Sequence, residues 1–179
     1  DMALSPDEAY SFVLYQISAL AGFCKTEGTA LAHVKPHGQL YNRAAKDTAL
    51  AEAIAAAVHD FDPTLVLVGL AGGKLIEAGR AANLATAQEF FADRNYMADG
   101  TLVPRKQENA VIADEDFAVA RVVRAVQEGT IEAIDGSTIE VAADTICIHG
   151  DNAHALEFAK KIRTALNESG VELKPCRAQ

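Results

Sequence analysis

The chain has 179 residues and a mass of 19.0 kDa, which is enough for one domain with a substantial core. Its residues are 50% hydrophobic and 23% charged, as in an ordinary soluble globular protein. The formal net charge of −9 argues against nucleic acid or an anionic membrane surface as a partner. No apolar run is long enough to span a membrane, and Asp1-Met2 does not begin a signal peptide.

The first helix is predicted from its start signal, Ser5-Pro6-Asp7-Glu8. This segment combines a serine cap, a proline at the first helical position and a glutamate three residues after the cap. Gly28 is placed to end the helix. Helical spacing predicts an inward face that comprises Ala9, Phe12, Val13, Ile17, Leu20 and Cys24. A strand over 31–35 follows and breaks at Pro36 and Gly38 into a loop.

The remaining chain alternates between short apolar runs and helical patterns. Asp47 can cap a helix that runs to about His59, and Asp62-Pro63 closes it. The wholly apolar segment 64–69 is typical of a buried parallel strand. The later elements are a helix over 74–82, a strand over 85–90, a loop over 95–109, a helix over 114–128 with Phe117, Val122, Val123 and Val126 inward, a hairpin over 130–141 around Asp135-Gly136, a strand over 145–149 and a helix over 153–168.

A strand is followed by a helix four times, which predicts an α/β fold with a parallel sheet built from βα repeats. No low-complexity linker suggests a second domain, so residues 1–179 are predicted to form a single domain. Four strands cannot close a barrel, which needs about eight. We therefore expect further strands outside this sequence, or sheet edges that a neighbouring chain covers.

The three cysteines, Cys24, Cys147 and Cys176, are an odd number without paired spacing. Cys24 falls on a predicted helix and Cys147 inside an apolar strand, which favours buried thiols without a disulfide. This pattern indicates a reducing, cytoplasmic compartment.

Polar side chains follow three of the predicted strands. These candidate site residues are Lys35, His37, Tyr41 and Asn42 after the first strand, Asp93 and Arg94 after the third, and His149 and Asp151 after the fourth. Because the carboxyl ends of parallel strands lie near one another, we expect these residues to converge although they are remote in sequence.

Each candidate also has a structural interpretation. His37 could be a turn residue, and Lys35 could be a solvated strand end. Asp151 could orient the ring of His149 or cap the last helix. Arg94 could bind a carboxylate in bidentate fashion, or it could form an internal ion pair with Asp93 that holds the long loop. The other histidines, His33, His59 and His154, are interpreted as structural or solvated.

Gly69-Leu70-Ala71-Gly72-Gly73 precedes a predicted helix, whose amino end could attract a phosphate group. The segment lacks the Gly-Lys-Ser/Thr ending of a phosphate loop and the glycine spacing of a dinucleotide site. A nucleotide site in this segment is therefore the weaker interpretation.

Four motifs occur in the order and approximate spacing of a known family. They are Lys35-Pro36-His37-Gly38-x-Leu40-Tyr41-Asn42, Gly69-Leu70-Ala71-Gly72, Glu89-x-Phe91-Ala92-Asp93-Arg94-x-Tyr96-x-x-Asp99-Gly100-x-Leu102-Val103-x-Arg105, and Cys147-x-His149-Gly150-Asp151. By these motifs the chain resembles the LamB/YcsF family, which includes the A subunit of bacterial 5-oxoprolinase. Family members are longer at the amino end.

The resemblance implies an irregular (β/α) barrel of the glycoside hydrolase/deacetylase type, with this chain as its later part. It implies a hydrolase that opens the lactam of 5-oxo-L-proline to give L-glutamate, with ATP bound with or by partner B and C subunits. In that reaction we expect His37 and His149 to transfer protons, with Asp151 orienting His149. Lys35 and Arg94 are expected to hold the oxyanion or the substrate carboxylate. The residues expected to position these groups are Tyr41, Asn42 and Asp93.

Two other functions stay open. Related deacetylases use a carboxylate and two histidines, so His37, His149 and Asp151 could serve a metal-dependent amide hydrolase that needs no ATP. No tight ligand spacing such as His-x-x-x-His supports this, and we assign no metal. The third possibility is a non-catalytic subunit of a carboxylase-like complex. Homo-oligomer formation is also left open.

Overall fold

A computed structural model describes residues 3–150 and 154–176 of the chain. They divide into two units, of which the first runs to Gln88 and includes Cys176, and the second comprises Glu89–Pro175. The single domain over residues 1–179 stays a prediction. No helix among the described residues is both long and apolar enough to cross a membrane.

Helices and parallel strands alternate in the first unit. Its elements are α1 (Pro6–Thr26), β1 (His33–Val34), α2 (Gly38–Ala44), α3 (Thr48–Phe61), β2 (Val66–Leu70), α4 (Lys74–Ala81) and the start of β3 (Ala85–Phe91). β1 and β2 pair in parallel, with His33 opposite Val66. Every residue of β2 is buried, as its continuous apolar run predicts.

The second unit begins at Glu89, within β3. Its further elements are α5 (Glu115–Glu128), β4 (Thr130–Glu132), β5 (Thr138–Glu140), β6 (Thr145–Cys147) and α6 (Ala155–Glu168). β6 pairs in parallel with β3, which places Cys147 opposite Phe91. The described strands form a sheet in the order β1-β2-β3-β6, and β4 and β5 form the predicted antiparallel hairpin.

The predicted helix starts are confirmed by their caps. Ser5 Oγ accepts the Glu8 N–H at 3.3 Å, and Glu8 Oε2 accepts the Ser5 N–H at 2.8 Å, which is the reciprocal capping box. Asp47 and Asp114 cap α3 and α5 through their side chains. Gly28 has a φ of +66° just after α1, where a glycine is favoured.

On α1 and α5, the predicted inward faces include residues that the structure does not bury. In α1 the buried residues are Ala9, Val13 and Ile17, and they lie on the side that packs on α3. Phe12 and Leu20 are 44% and 55% exposed, so their inward prediction was wrong. In α5, Val122 is buried but Phe117 is 54% exposed. The packing partner covers only part of each apolar face.

Two further predictions need correction. The loop predicted after β1 is largely the short helix α2, which begins at Gly38. His37 precedes it, but its side chain makes no capping hydrogen bond. Cys24, Cys147 and Cys176 are half-buried instead of buried, and no disulfide joins them.

Candidate functional site

Asp93 and His149 are brought together by the pairing of β3 with β6. Each residue lies just beyond the carboxyl end of its strand. The Ala92 N–H donates to the Cys147 carbonyl oxygen at 3.1 Å, which extends the strand pairing toward both side chains. Asp93 Oδ2 is 2.6 Å from His149 Nδ1. This contact is the predicted convergence at strand ends, realised between the third and fourth strands.

The geometry of the Asp93–His149 pair is compatible with proton transfer. Because an ionised carboxylate only accepts hydrogen bonds, Nδ1 of His149 carries the proton and Nε2 is the basic nitrogen. The side chains of His149 and Asp93 are 28% and 17% exposed, so solvent or a substrate can reach them. The ring of Phe91 lies 5.6 Å from the His149 ring, centroid to centroid, and shields one side of it.

The structure places Asp93 against the ring of His149. From the sequence, the orienting role was assigned to Asp151. Asp151 lies outside the described residues, so its own role stays a prediction. The second oxygen of Asp93, Oδ1, is buried and has no hydrogen-bond partner among residues 3–150 and 154–176.

Arg94 holds the loop that follows β3. Its side chain is buried, with Nε donating to the Ala110 carbonyl at 3.1 Å and Nη2 donating to the Val103 carbonyl. Burial lowers the pKa of Arg94, and the nearby charge of Arg105 lowers it further. These contacts favour the loop-holding interpretation, although the guanidinium binds carbonyl groups where an ion pair with Asp93 was expected. Its substrate-binding role stays a prediction.

Tyr96 and Arg121 both form hydrogen bonds that support the turn after β3. The Phe91 N–H donates to the Tyr96 hydroxyl at 2.9 Å, and the Tyr96 ring stacks on Phe90 at 5.5 Å between centroids. Arg121 Nη1 donates to the Arg94 carbonyl oxygen at 3.0 Å. Burial raises the pKa of Tyr96, so its hydroxyl is neutral.

Neither residue was among the candidate site residues. Tyr96 occurs in the third family motif, and the sequence also contains a signal for Arg121. Arg121 occupies the buried face of α5 together with Ala118, Val122 and Ala125. A charged residue on an apolar face must find buried partners, because burying it without them is costly. The position of Arg121 on the apolar face of α5 therefore indicated a structural role in the sequence itself.

The candidates after β1 lie in the first unit. His37 and Asn42 are exposed, and Lys35 is half-buried with Nζ 5.8 Å from the centroid of the buried Tyr41 ring. Lys35 and His37 line a cavity of about 370 Å³. Its apolar lining includes Phe12, Val34, Leu40 and Ile54. The meeting of these groups with Asp93 and His149 at one cleft stays a prediction.

The glycine segment after β2 forms hydrogen bonds within the protein. The Gly72 N–H donates to Gln88 Oε1 at 3.1 Å, the Gly73 N–H to the Leu70 carbonyl at 2.9 Å and the Lys74 N–H to the Ala45 carbonyl at 3.0 Å. A phosphate loop needs such N–H groups for its ligand. The Gly72, Gly73 and Lys74 N–H groups are already engaged, which argues against their use in binding a nucleotide.

The described residues do not provide a metal site. Among residues 3–150 and 154–176, no three His, Cys, Asp or Glu side chains are grouped so that they could hold a metal ion. Within the Asp93–His149 pair, Nδ1 of the ring is already bonded to the carboxylate. We therefore derive no step through a metal.

Comparison with known proteins decides the family. The LamB/YcsF family model matches residues 1–179. The chain belongs to the LamB/YcsF family. It is similar to the 5-oxoprolinase A subunit of Geobacillus kaustophilus, with 54% identity over 99% of this chain and 70% of that protein. The 5-oxoprolinase A subunits of Tolumonas auensis and Bacillus subtilis are 56% and 53% identical over 97% of the chain, covering 69% and 67% of their own lengths.

A solved structure supports the fold of this LamB/YcsF chain. The lactam utilization protein from Thermus thermophilus is 47% identical and superposes with a TM-score of 0.87. The match covers all of this chain and 70% of that one. The predicted parallel βα-repeat fold is confirmed.

Proposed function

We propose that the chain acts in the hydrolysis of 5-oxo-L-proline to L-glutamate, as the A subunit of a 5-oxoprolinase. The relatives at 53–56% identity carry that name. The observation that carries the chemistry is the 2.6 Å contact between Asp93 and His149 at the ends of two paired strands. A lactam needs a base for the attacking water and an acid for the departing ring nitrogen, and an imidazole can supply both.

The proposed steps follow from the tautomer of His149. Nε2 takes a proton from water as the water oxygen bonds to the lactam carbonyl carbon. The same nitrogen returns the proton to the ring nitrogen as the C–N bond breaks, which leaves the amine and carboxylate of glutamate. Asp93 holds Nδ1–H and stabilises the imidazolium that forms between the two steps.

ATP and partner subunits belong to the same proposal. An amide resists attack because its resonance is lost at the tetrahedral stage, and transfer of the γ-phosphoryl group of ATP to the amide oxygen, with release of ADP, would offset that loss. Cleavage of the C–N bond would then leave an acyl phosphate, which a second water would hydrolyse to the carboxylate and inorganic phosphate. The Gly72, Gly73 and Lys74 N–H groups of this chain are engaged within the protein, which argues against a nucleotide at this segment. We therefore propose that ATP is bound with or by the B and C subunits.

The cavity of the first unit supplies two more candidate groups. Lys35 can bind a carboxylate or an oxyanion as a point charge, and His37 is exposed at the cavity wall, where it can exchange protons. We propose Lys35 for anion binding and His37 for proton transfer, with Tyr41 and Asn42 as supporting residues.

The test is glutamate release from 5-oxoproline by the chain together with candidate B and C subunits, with and without ATP. We expect His149→Ala to lower kcat by at least about 100-fold. His59→Ala is the matched control, because His59 forms an exposed pair with Asp60 at 3.5 Å away from any strand end. Near-normal turnover by the His149 variant would refute the proposed mechanism.

The same assay separates the alternatives. Turnover that persists without ATP and disappears with a chelator would favour a metal-dependent amide hydrolase. Turnover that is unchanged by replacement of His149, His37 or Lys35, but still requires the chain, would favour a non-catalytic role in the complex.

A further inference from the structure

Arg121 is a buried charge with no part in the proton transfer described above. It is 6% exposed, and its guanidinium carbon lies 5.2 Å from the Phe90 ring centroid and 5.3 Å from that of Tyr96. Nη2 is buried and has no hydrogen-bond partner among the described residues. The two ring faces therefore replace much of the water that the guanidinium loses, as in a cation–π contact.

The hydrogen bond that Arg121 does make is aimed at the turn that carries Asp93. Nη1 donates to the carbonyl oxygen of Arg94, the residue directly after Asp93. The Asp93 carbonyl oxygen accepts the Ile112 N–H at 2.9 Å. The Tyr96 hydroxyl accepts the Phe91 N–H at 2.9 Å. The main chain is thus hydrogen-bonded on both sides of Asp93.

We propose that Arg121 is a positioning residue that holds Asp93 against His149, through the Arg94 carbonyl and the stacked Phe90–Tyr96 pair. A planar guanidinium can lie over the rings while it donates in its own plane, which a lysine ammonium cannot do. The inference rests on the proposed function only for its effect on turnover. Its effect on the His149 ring can be measured whether or not the chain is an oxoprolinase.

The variants are Arg121→Met, Arg121→Lys and the control Arg124→Met. Arg124 lies on the same helix, is exposed and pairs with Glu128 at 3.1 Å, so its replacement removes an arginine without touching the turn. Ring ¹⁵N chemical shifts of His149 give the share of each neutral tautomer. Thermal unfolding gives stability, and the reconstituted assay gives kcat and KM.

We expect the parent protein and Arg124→Met to show one tautomer, with the proton on Nδ1. Arg121→Met should show a mixture, and kcat should fall by about 10- to 100-fold at nearly unchanged KM, because a small displacement of a catalytic group is costly. Arg121→Lys should fall between the two, since it keeps a donor for the Arg94 carbonyl but loses the ring stacking.

Two results would overturn the inference. One is an Arg121→Met protein that is less stable but keeps the parent tautomer and the parent kcat per folded molecule, which indicates a purely structural role. The other, if Arg121→Met does not fold, is a folded Arg121→Lys protein with unchanged tautomer and kcat. An inactive parent protein with the expected tautomer change would refute the proposed function and leave the positioning role supported.

Discussion

Asp93 Oδ2 and His149 Nδ1 are 2.6 Å apart although 56 positions separate the two residues in the sequence. The contact joins the ends of two parallel strands, the position at which α/β proteins commonly bind ligands. It favours the imidazole tautomer with the proton on Nδ1 and leaves Nε2 able to exchange a proton. The first prediction tests this relationship.

Asp93→Asn should lower kcat by about 100- to 10,000-fold with little change in KM. The amide can donate a hydrogen bond to Nδ1, which favours the tautomer with the proton on Nε2 and removes the base. The measurement is glutamate release by the reconstituted complex, with Asp60→Asn as the control for an exposed His–Asp contact. Equal kcat in the two variants would show that Asp93 does not orient a catalytic ring.

Arg94→Met should lower the free energy of unfolding by about 2–4 kcal/mol, because the carbonyls of Ala110 and Val103 lose charged donors. Chemical denaturation measures this loss. A substrate-binding arginine would behave differently, with a raised KM for 5-oxoproline and near-parent stability. That second pattern would support the predicted role of Arg94 in binding a substrate carboxylate.

Tyr96→Phe should make stability less sensitive to alkaline pH. Burial raises the pKa of Tyr96, so the folded protein keeps a proton that the unfolded chain loses above about pH 10. The free energy of unfolding of the parent therefore falls as pH rises beyond that point. In the Tyr96→Phe variant this slope should be smaller by the equivalent of about one proton.

The Tyr96→Phe variant should also be less stable at neutral pH by about 1–3 kcal/mol, because the Phe91 N–H loses its acceptor. Urea unfolding between pH 7 and 11 measures both effects. Tyr15→Phe removes a hydroxyl from a side chain that is 73% exposed and should leave the stability at pH 7 unchanged. An identical alkaline slope for Tyr96→Phe and the parent would contradict the burial argument.

Gly79→Ala should destabilise the first unit by about 1–3 kcal/mol. A Cβ at Gly79 in α4 would lie 2.8 Å from Thr86 Cγ2 and 3.0 Å from Leu67 Cδ2. Gly22→Ala in α1 is the matched control, because no heavy atom beyond its chain neighbours and the adjacent helix backbone lies within 4 Å of its Cβ position. That substitution should stabilise the helix by about 0.5–1 kcal/mol. Thermal unfolding of both variants checks the opposite signs.

Much of the fold follows from local sequence signals. The caps at Ser5, Asp47 and Asp114 begin helices where predicted, and the apolar run of β2 is a buried parallel strand. These features depend on a few neighbouring residues, so a single sequence contains them. α2 was missed because it is short and begins at Gly38 without a side-chain cap, next to a proline that predicts a loop.

The site required information that spacing does not contain. Asp151 was chosen as the partner of His149 because the two are close in sequence, and that choice stays a prediction since Asp151 lies outside the described residues. Asp93 reaches the ring only through the pairing of β3 with β6. The exposure of Phe12 and Phe117 has a similar origin. Helical period identifies residues that share a face, but the neighbouring element decides how much of that face is covered.

The origin of the Asp93–His149 contact also sets when it can form during refolding. Helices with local contacts gain their hydrogen bonds early, whereas two strands that are distant in sequence must first close the long loop between them. After dilution from denaturant, helical circular dichroism should therefore recover before catalysis does. The lag between the two signals would include the pairing of β6 with β3 and the assembly with the partner subunits.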